Sequence, residues 1–400
     1  MELYDLIIIG GGPAGMSSAV YAGRSTLKTL IIEKSSYGGR IKDTLEIVNY
    51  PAIKKTSGEE LSNLLREHVK SYDTVSFLKS TVNSIEKNGD IFKIATQRKG
   101  DFYSKAVILA TGTSPKVLGI EGEAEFTGNG VAYCATCDAE FFKNQDVFVL
   151  GAGDQAIEEA MFIAKFAKSV TIIVIHDEGK LDCNEIAKNQ VFKNEKIKFI
   201  WNSTVHKIIG DETLTSLDII NVKTKEITNY KASGLFSFVG MIPRTELVKD
   251  IVKTDKLGYI HVNEKKETSL LGLYAVGDCT ANYLKQVVTA CADGAIAATA
   301  VGRFISEQEI IQNELKAEGK VIFIFYTPYD EKSLKNMSFV ESELKTKIIK
   351  IDISKQEYLY KKLELSKNFA IVVYENEKII FNFEKEELKD NDLLELKEIL

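Results

Sequence analysis

No apolar run in the 400 residues approaches the roughly 20 that span a bilayer; Leu6 to Ile9, for one, breaks on Gly10-Gly11-Gly12. A membrane partner is therefore not expected. A basic face is missing too. The 51 Lys and Arg are scattered among 57 Asp and Glu, for a formal charge of -6, so nucleic acid is not an expected partner either. Cysteine is scarce and odd in number, with five residues at 134, 137, 183, 279 and 291, which excludes the dense even framework of a stapled, secreted domain. The start, Met1-Glu2-Leu3-Tyr4-Asp5, is acidic where a secretory leader needs positive charge. The expected setting is a reducing cytoplasm, in which a close cysteine pair serves metal binding or catalysis.

At 44% hydrophobic and 27% charged residues, the chain suffices for two or three globular domains with separate cores. Residues 3 to 9 are apolar and meet Gly10-Gly11-Gly12-Pro13-Ala14-Gly15 at once. A helical stretch to about Ala22 and a second apolar strand, Leu27 to Ile32, ending at Glu33, complete a βαβ unit. The arrangement recurs as Asp146 to Leu150, then Gly151-Ala152-Gly153-Asp154-Gln155-Ala156, a helix through Phe166 and a strand from Val170 to Ile175. Strand-like pieces at Ala106 to Leu109 and Gly272 to Val276 close on small residues. Ile311 to Gly319 is polar and helix-prone, and it reads as a linker. From Lys320 to Leu400 there is neither Gly nor Cys. There the pattern reads strand (321 to 326), helix (332 to 344), strand (346 to 352), helix, two strands (369 to 374 and 378 to 383), helix. It describes a third, small α/β domain.

Gly10-x-Gly12-x-x-Gly15, after a strand and opening a helix, lets backbone approach a pyrophosphate at the helix N-terminus. Glu33, at the end of the next strand, stands where an acid holds a ribose hydroxyl. Cys134-Ala135-Thr136-Cys137-Asp138 carries the chemistry. Two residues between thiols allow a reversible disulfide, and the neighbouring acid can shuttle the proton that thiolate chemistry requires. A zinc site needs a second ligand pair, yet Cys183, Cys279 and Cys291 are isolated and the four histidines show no ligand spacing. No metal is expected.

Gly10 to Gly15, Asn49-Tyr50-Pro51, Ala110-Thr111-Gly112, Cys134 to Asp138, the Gly151 loop and Gly272-Leu273-Tyr274-Ala275-Val276-Gly277-Asp278 together resemble the low-molecular-weight, bacterial-type thioredoxin reductases over residues 1 to 310. The resemblance implies an α/β fold of two Rossmann-like, three-layer ββα domains, one inserted in the other. FAD would lie in 1 to 115 plus 243 to 311, and a pyridine-nucleotide-type domain at 116 to 242 would carry the cysteines. The implied flavin site is Gly10, Gly12, Pro13, Ala14, Gly15, Glu33, Gly39, Arg40, Asn49, Val82, Ala110, Thr111, Gly112, Gly277, Asp278, Lys285, Gln286 and Val287. Within it, Asp278 would hold the ribityl chain and Glu33 the adenosine ribose. Cys134 would attack the substrate disulfide, Cys137 would face the flavin, and Asp138 would serve as acid and base. The other three cysteines read as structural thiols. Thioredoxin or a thioredoxin-like protein is the implied partner, and a homodimer the implied assembly. A redox sensor or scaffold is the alternative of another class.

Two departures stand out. Family members using NADPH grip its 2′-phosphate with a His-Arg-Arg run, bidentately, whereas here Val174-Ile175-His176 is followed by Asp177-Glu178-Gly179-Lys180. NADPH is disfavoured. Counting from Gly151 as from Gly10 to Glu33 lands on apolar Val174, so an NADH ribose lacks its acid as well. On these residues the nucleotide loop Gly151, Gly153, Ala156 reads as retained scaffold, and ferredoxin or flavodoxin is preferred as donor over weakly bound NADH. The tail resembles a thioredoxin fold whose Trp-Cys-x-x-Cys turn has become Tyr329-Asp330-Glu331-Lys332-Ser333, with Asn368-Phe369-Ala370 lacking the usual proline. It cannot exchange disulfides; docking a partner, gating Cys134 and building a dimer surface are the roles open to it beside plain stabilisation.

Overall fold

The computed structural model describes residues 2–44, 47–316, 319–344 and 347–400. Its first sheet has seven strands. They run in the order Val75–Lys79, Thr29–Glu33, Leu3–Ile9, Gly100–Leu109, Ile91–Thr96, Val82–Asn88, with Leu273–Ala275 also paired to Gly100–Leu109. Leu3–Ile9 is buried almost throughout, as a central parallel strand covered on both faces must be. Pro13 opens the helix Pro13–Arg24, where its missing N–H costs nothing.

A second sheet of five parallel strands is built from Ile197–Ile200, Ser169–Ile173, Asp146–Leu150, Gly234–Ser237 and Val131–Ala132. Helix Asp154–Ile163 packs Ala156, Ile157 and Ala160 against one face. An antiparallel layer, Ser203–Gly210, Leu214–Asn221 and Ile227–Lys231, covers the other with Val205, Leu217 and Ile219. A second β layer in each unit is what the resemblance implied; the individual strands of this one, and the hairpin beginning at Val82, are located only by the structure. The chain enters and leaves this unit through two short antiparallel strands, Thr113–Pro115 and Met241–Pro243, which form a ribbon.

Strand register sharpens one expectation. Ile9 pairs with Ile32 in the first sheet and Leu150 with Ile173 in the second. Val174, fully buried, therefore occupies the place that Glu33 holds in the first unit.

The helix Val287–Leu315 corrects the expected linker: Ile311 to Leu315 continue it for more than a turn, and Ile311 is buried. The segment contains neither Gly nor Pro, so nothing stops the helix there. Ala317 and Glu318 lie outside the described residues. The helix is long and apolar enough to cross a membrane by length and composition alone. Its Ala297, Val301, Phe304 and Ile305 are instead buried in the core beside helix Pro13–Arg24.

In the tail, a four-stranded sheet runs in the order Ile348–Asp352, Lys320–Tyr326, Ala370–Glu375, Lys378–Glu384. The first pair is parallel and the other two antiparallel. These strands fall within two residues of the expected ones; Thr346, the expected start of one, is outside the described residues. Phe323, Phe325, Tyr358 and Tyr374 join the same core cluster as Val301 and Phe304, so the tail is packed onto the body through the long helix.

Candidate functional site

Three parallel strands of the first sheet end at one edge, and each hands the chain to a small-residue turn. Leu3–Ile9 leads to the Gly10 turn, Gly100–Leu109 to Ala110-Thr111-Gly112, and Leu273–Ala275 to Gly277-Asp278. The carboxyl ends of parallel strands are where α/β folds hold ligands. Gly10 has φ +112°, and a Cβ there would meet the Ala110 carbonyl oxygen at 2.2 Å. Only glycine allows these two turns to lie together.

The turns open on a cleft of about 960 Å³, the upper end of the roughly 300–1,000 Å³ usual for small-molecule sites. Gly10, Gly12, Pro13, Ala14, Glu33, Gly39, Arg40, Asn49, Val82, Ala110, Thr111, Gly112, Gly277, Asp278, Lys285, Gln286 and Val287 all line it. Gly15 does not; its Cα faces the Gly10 carbonyl, where a Cβ would stand 2.0 Å away. It closes the helix onto the strand behind the cleft.

Polar groups inside the cleft are held firmly. The Glu33 carboxylate accepts from the Gly11 N–H at 2.7 Å and from the Ser35 N–H at 2.9 Å. Lys285 lies over the Tyr259 ring at 3.9 Å and donates to the Thr280 carbonyl at 2.8 Å. Gln286 caps the long helix and accepts from Asn49 Nδ2 at 3.1 Å. Burial raises the Asp278 carboxyl, opposed by Lys285 and Arg40, and burial lowers the Lys285 ammonium.

The cleft has a second wall that the motifs missed. Asp154, Gln155, Glu158 and Glu159, from the helix after the Gly151 loop, line it together with Asn184. The i, i+4 spacing of Asp154 with Glu158 and Gln155 with Glu159 was the available signal. Burial and Glu158, opposed by Arg40, push the Glu159 carboxyl up to about 7. Gly151, Gly153 and Ala156 stand behind this wall and do not line the cleft.

The loop beyond Val174 is internally satisfied. His176 Nε2 is 2.7 Å from Asp182 Oδ2, Asp177 pairs with Lys223, and the Asp182 N–H donates to the Ala152 carbonyl at 2.9 Å. Two carboxylates thus sit where a phosphate-binding loop would carry arginines.

Cys134 and Cys137 form a disulfide and do not line the cleft. Cys137 is exposed and Cys134 half-buried. The Cys137 N–H points at Cys134 Sγ, 3.2 Å away, and the Thr136 hydroxyl lies 3.3 Å from the same sulfur. Burial raises the Asp138 carboxyl. Cys279 is buried, Cys183 and Cys291 half-buried, and among the described residues no His, Cys, Asp and Glu cluster could hold a metal.

A family model described as pyridine nucleotide-disulphide oxidoreductase matches residues 4–294. The chain belongs to that family. A thioredoxin reductase of Peptoclostridium acidaminophilum is 41% identical over 311 residues, 76% of this chain and 98% of the relative. The crystal structure of Lactococcus lactis thioredoxin reductase in its FR conformation superposes with a TM-score of 0.73 at 42% identity, covering 76% of this chain and 99% of that one. The T. acidophilum thioredoxin reductase gives 0.71 at 35% identity, covering 76% and 98%. This oxidoreductase is a flavoenzyme of the thioredoxin reductase type, and its cofactor is FAD. The cleft suits that cofactor: a Cβ on Gly12 would find only the Gly39 Cα nearby, at 3.8 Å, so backbone is bared to a pyrophosphate beside a fixed carboxylate at Glu33. Each of the three matches leaves about a quarter of this chain uncovered.

Proposed function

We propose that this oxidoreductase carries electrons from a reduced nicotinamide dinucleotide lacking a 2′-phosphate, through FAD, to Cys134 and Cys137, and on to the disulfide of thioredoxin or a thioredoxin-like protein. One observation carries the donor: the helix after the second glycine loop lines the same cleft as the flavin turns. A dinucleotide on that helix would present its nicotinamide to the flavin. No arginine follows the strand end to grip a 2′-phosphate, and Glu178 stands there beside an Asp177 already paired to Lys223, which favours NADH over NADPH. The sequence alone preferred ferredoxin or flavodoxin, and buried Val174 still favours that second reading, since it offers no carboxylate to a ribose.

FAD, when bound, supplies two-electron transfer between a hydride donor and a dithiol. Its holders are the cleft residues named above, with Glu33 at the adenosine ribose and Asp278 at the ribityl chain. The Cys134 thiolate attacks one sulfur of the substrate disulfide, giving a mixed disulfide and a free substrate thiolate. Cys137 then attacks the Cys134 sulfur, so the Cys134–Cys137 bond re-forms and the second substrate sulfur leaves. The two protons of the reduced pair go with the substrate thiols, one of them through Asp138. Because the cysteines lie outside the cleft, this cycle requires the inserted unit, residues 116 to 242, to turn about its two-stranded ribbon.

The tail's strand order and directions support a thioredoxin-like fold on residues 320 to 400. Where the second thiol would be, Ser333 Oγ accepts from the Thr327 N–H at 2.9 Å and donates to the Asn368 carbonyl at 2.7 Å. That position is a structural clasp.

Anaerobic flavin absorbance, followed after stoichiometric NADH, NADPH or reduced ferredoxin, tests the donor. Rapid bleaching by NADH and slow bleaching by NADPH are expected. Bleaching by ferredoxin alone overturns the nicotinamide reading, and equal rates with NADH and NADPH overturn the phosphate argument.

A further inference from the structure

The tail grips both neighbours of one strained residue in the body. Lys266 has φ +64°, a left-handed backbone that a side chain disfavours and that persists only where its surroundings impose it. From within, the turn at 263–267 is closed by Asn263, whose Oδ1 accepts from the Lys265 N–H and the Glu267 N–H, both at 3.0 Å. From outside it is closed by the tail. Glu357, which begins the helix Tyr358–Lys362, pairs with Lys265 at 2.8 Å, and Lys361 pairs with Glu267 at 2.7 Å and with Glu357 at 2.6 Å. Lys265, Glu357, Lys361 and Glu267 thus alternate in charge around Lys266, each at least partly shielded from water.

The turn so held is itself bonded to the segment that carries Asp278 into the cleft. The Lys266 carbonyl accepts from the Ala275 N–H at 3.1 Å, and its ammonium pairs with Asp293, which accepts from the Gly277 N–H at 3.1 Å. On the far side of Asp278, the Ile260 N–H donates to the Cys279 carbonyl and the Ala281 N–H to the Ile260 carbonyl, both at 3.0 Å. Gly277 and Asp278 line the cleft. An unbroken run of contacts therefore leads from the tail helix to the flavin site, and its narrowest link is Lys266. Tail and body are also fastened by apolar packing, Tyr358 with Phe304 and Val301 in one core cluster, so the ring of charges can be opened with the tail still in place.

We propose that the tail is a clamp on the cofactor site: Glu357 and Lys361 are positioning residues for FAD, acting through Lys266 on the turn that presents Asp278. The test is the dissociation constant of FAD, read from free-flavin fluorescence on serial dilution of the full FAD-loaded chain. A partly solvated ion pair is worth up to about fivefold in an equilibrium constant. Lys361→Glu removes two pairs and sets a carboxylate against Glu267 and Glu357, so it should weaken FAD binding about tenfold. Lys362→Glu is the same reversal one residue on, but it opposes Asp90, which is not part of the turn, and should bind FAD as the parent does. Glu267→Lys/Lys361→Glu restores the pair with its charges exchanged and should recover most of the loss, which a variant that had merely misfolded would not. Lys361→Glu that holds FAD like the parent overturns the proposal, as does an exchanged pair that recovers nothing. Equal losses in Lys361→Glu and Lys362→Glu also overturn it, since the flavin would then depend on attachment of the tail in general and not on this turn.

Discussion

Lys266 and Asp293 form an ion pair of 2.7 Å that is nearly closed to water, their side chains only 14% and 7% exposed. Asp293 also accepts from the Gly277 N–H at 3.1 Å and from Asn282 Nδ2. Neither residue lines the cleft. Together they pin the turn that presents Asp278 to it, so they are positioning residues for the cofactor.

Lys266→Met should therefore strand a buried carboxylate. Breaking such a pair from one side costs about 3–5 kcal/mol, and here the cost falls on the Gly277 turn. The variant is expected to melt well below the parent and to retain less FAD after gel filtration, read as the ratio of flavin to protein absorbance. Asp293→Asn/Lys266→Met, which removes both charges, should recover much of the loss.

The glycine turn, Glu33 and the cysteine pair were legible because each is a local pattern: strand, turn and helix follow in sequence, and the chemistry sits within four residues. Even the failed acid at Val174 was readable by counting, since register in both sheets is set by the same strand–helix spacing. The second wall of the cleft was not legible. Glu158 and Glu159 look like ordinary solvent-facing residues of a helix until the inserted unit folds over the flavin turns, and that placement depends on the ribbon at Thr113–Pro115 and Met241–Pro243. The tail's docking was hidden for the same reason. Nothing within Ile311 to Leu315 announces that the helix continues to carry a core face.

In the proposed cycle Cys134 is the attacking thiol even though Cys137 is the more exposed. The Cys137 N–H aimed at Cys134 Sγ stabilises a thiolate there, and thiolate fraction governs exchange. Cys137→Ser should accumulate a mixed disulfide between Cys134 and a thioredoxin-like substrate, seen on a non-reducing gel and by mass. Cys134→Ser should trap much less. Trapping in the reverse order would assign the attack to Cys137.

Glu159 gives a pH dependence with a definite sign. Burial and Glu158 raise its carboxyl from 4.5 to about 7, against the pull of Arg40. The folded protein thus binds a proton that the unfolded chain has released. Its contribution to stability is intact below about pH 4.5 and is lost as pH rises through 7. Glu159→Gln keeps the shape and cannot ionise. It should melt with the parent near pH 5 and a few degrees above it at pH 8, a gain of roughly 2 kcal/mol. Parallel melting curves at both pH values would show that the carboxylate is solvated in the folded protein.

Body and tail meet where Phe304 packs edge-to-face on Tyr358, ring centroids 5.2 Å apart. Around that contact the Tyr358 N–H donates to Glu307 at 2.9 Å, Lys361 pairs with Glu267 at 2.7 Å, and Lys362 pairs with Asp90 at 2.6 Å. The ion pairs are partly solvated and worth about 0–1 kcal/mol each, whereas deleting a buried phenyl ring costs about 3–5 kcal/mol. The aromatic contact should dominate. Phe304→Ala is expected to make the tail the first part cut in limited proteolysis, with a lowered melting temperature, while Lys362→Ala leaves the digestion pattern unchanged. If Lys362→Ala loosens the tail as much as Phe304→Ala does, the attachment is electrostatic, and it should then weaken steeply with added salt.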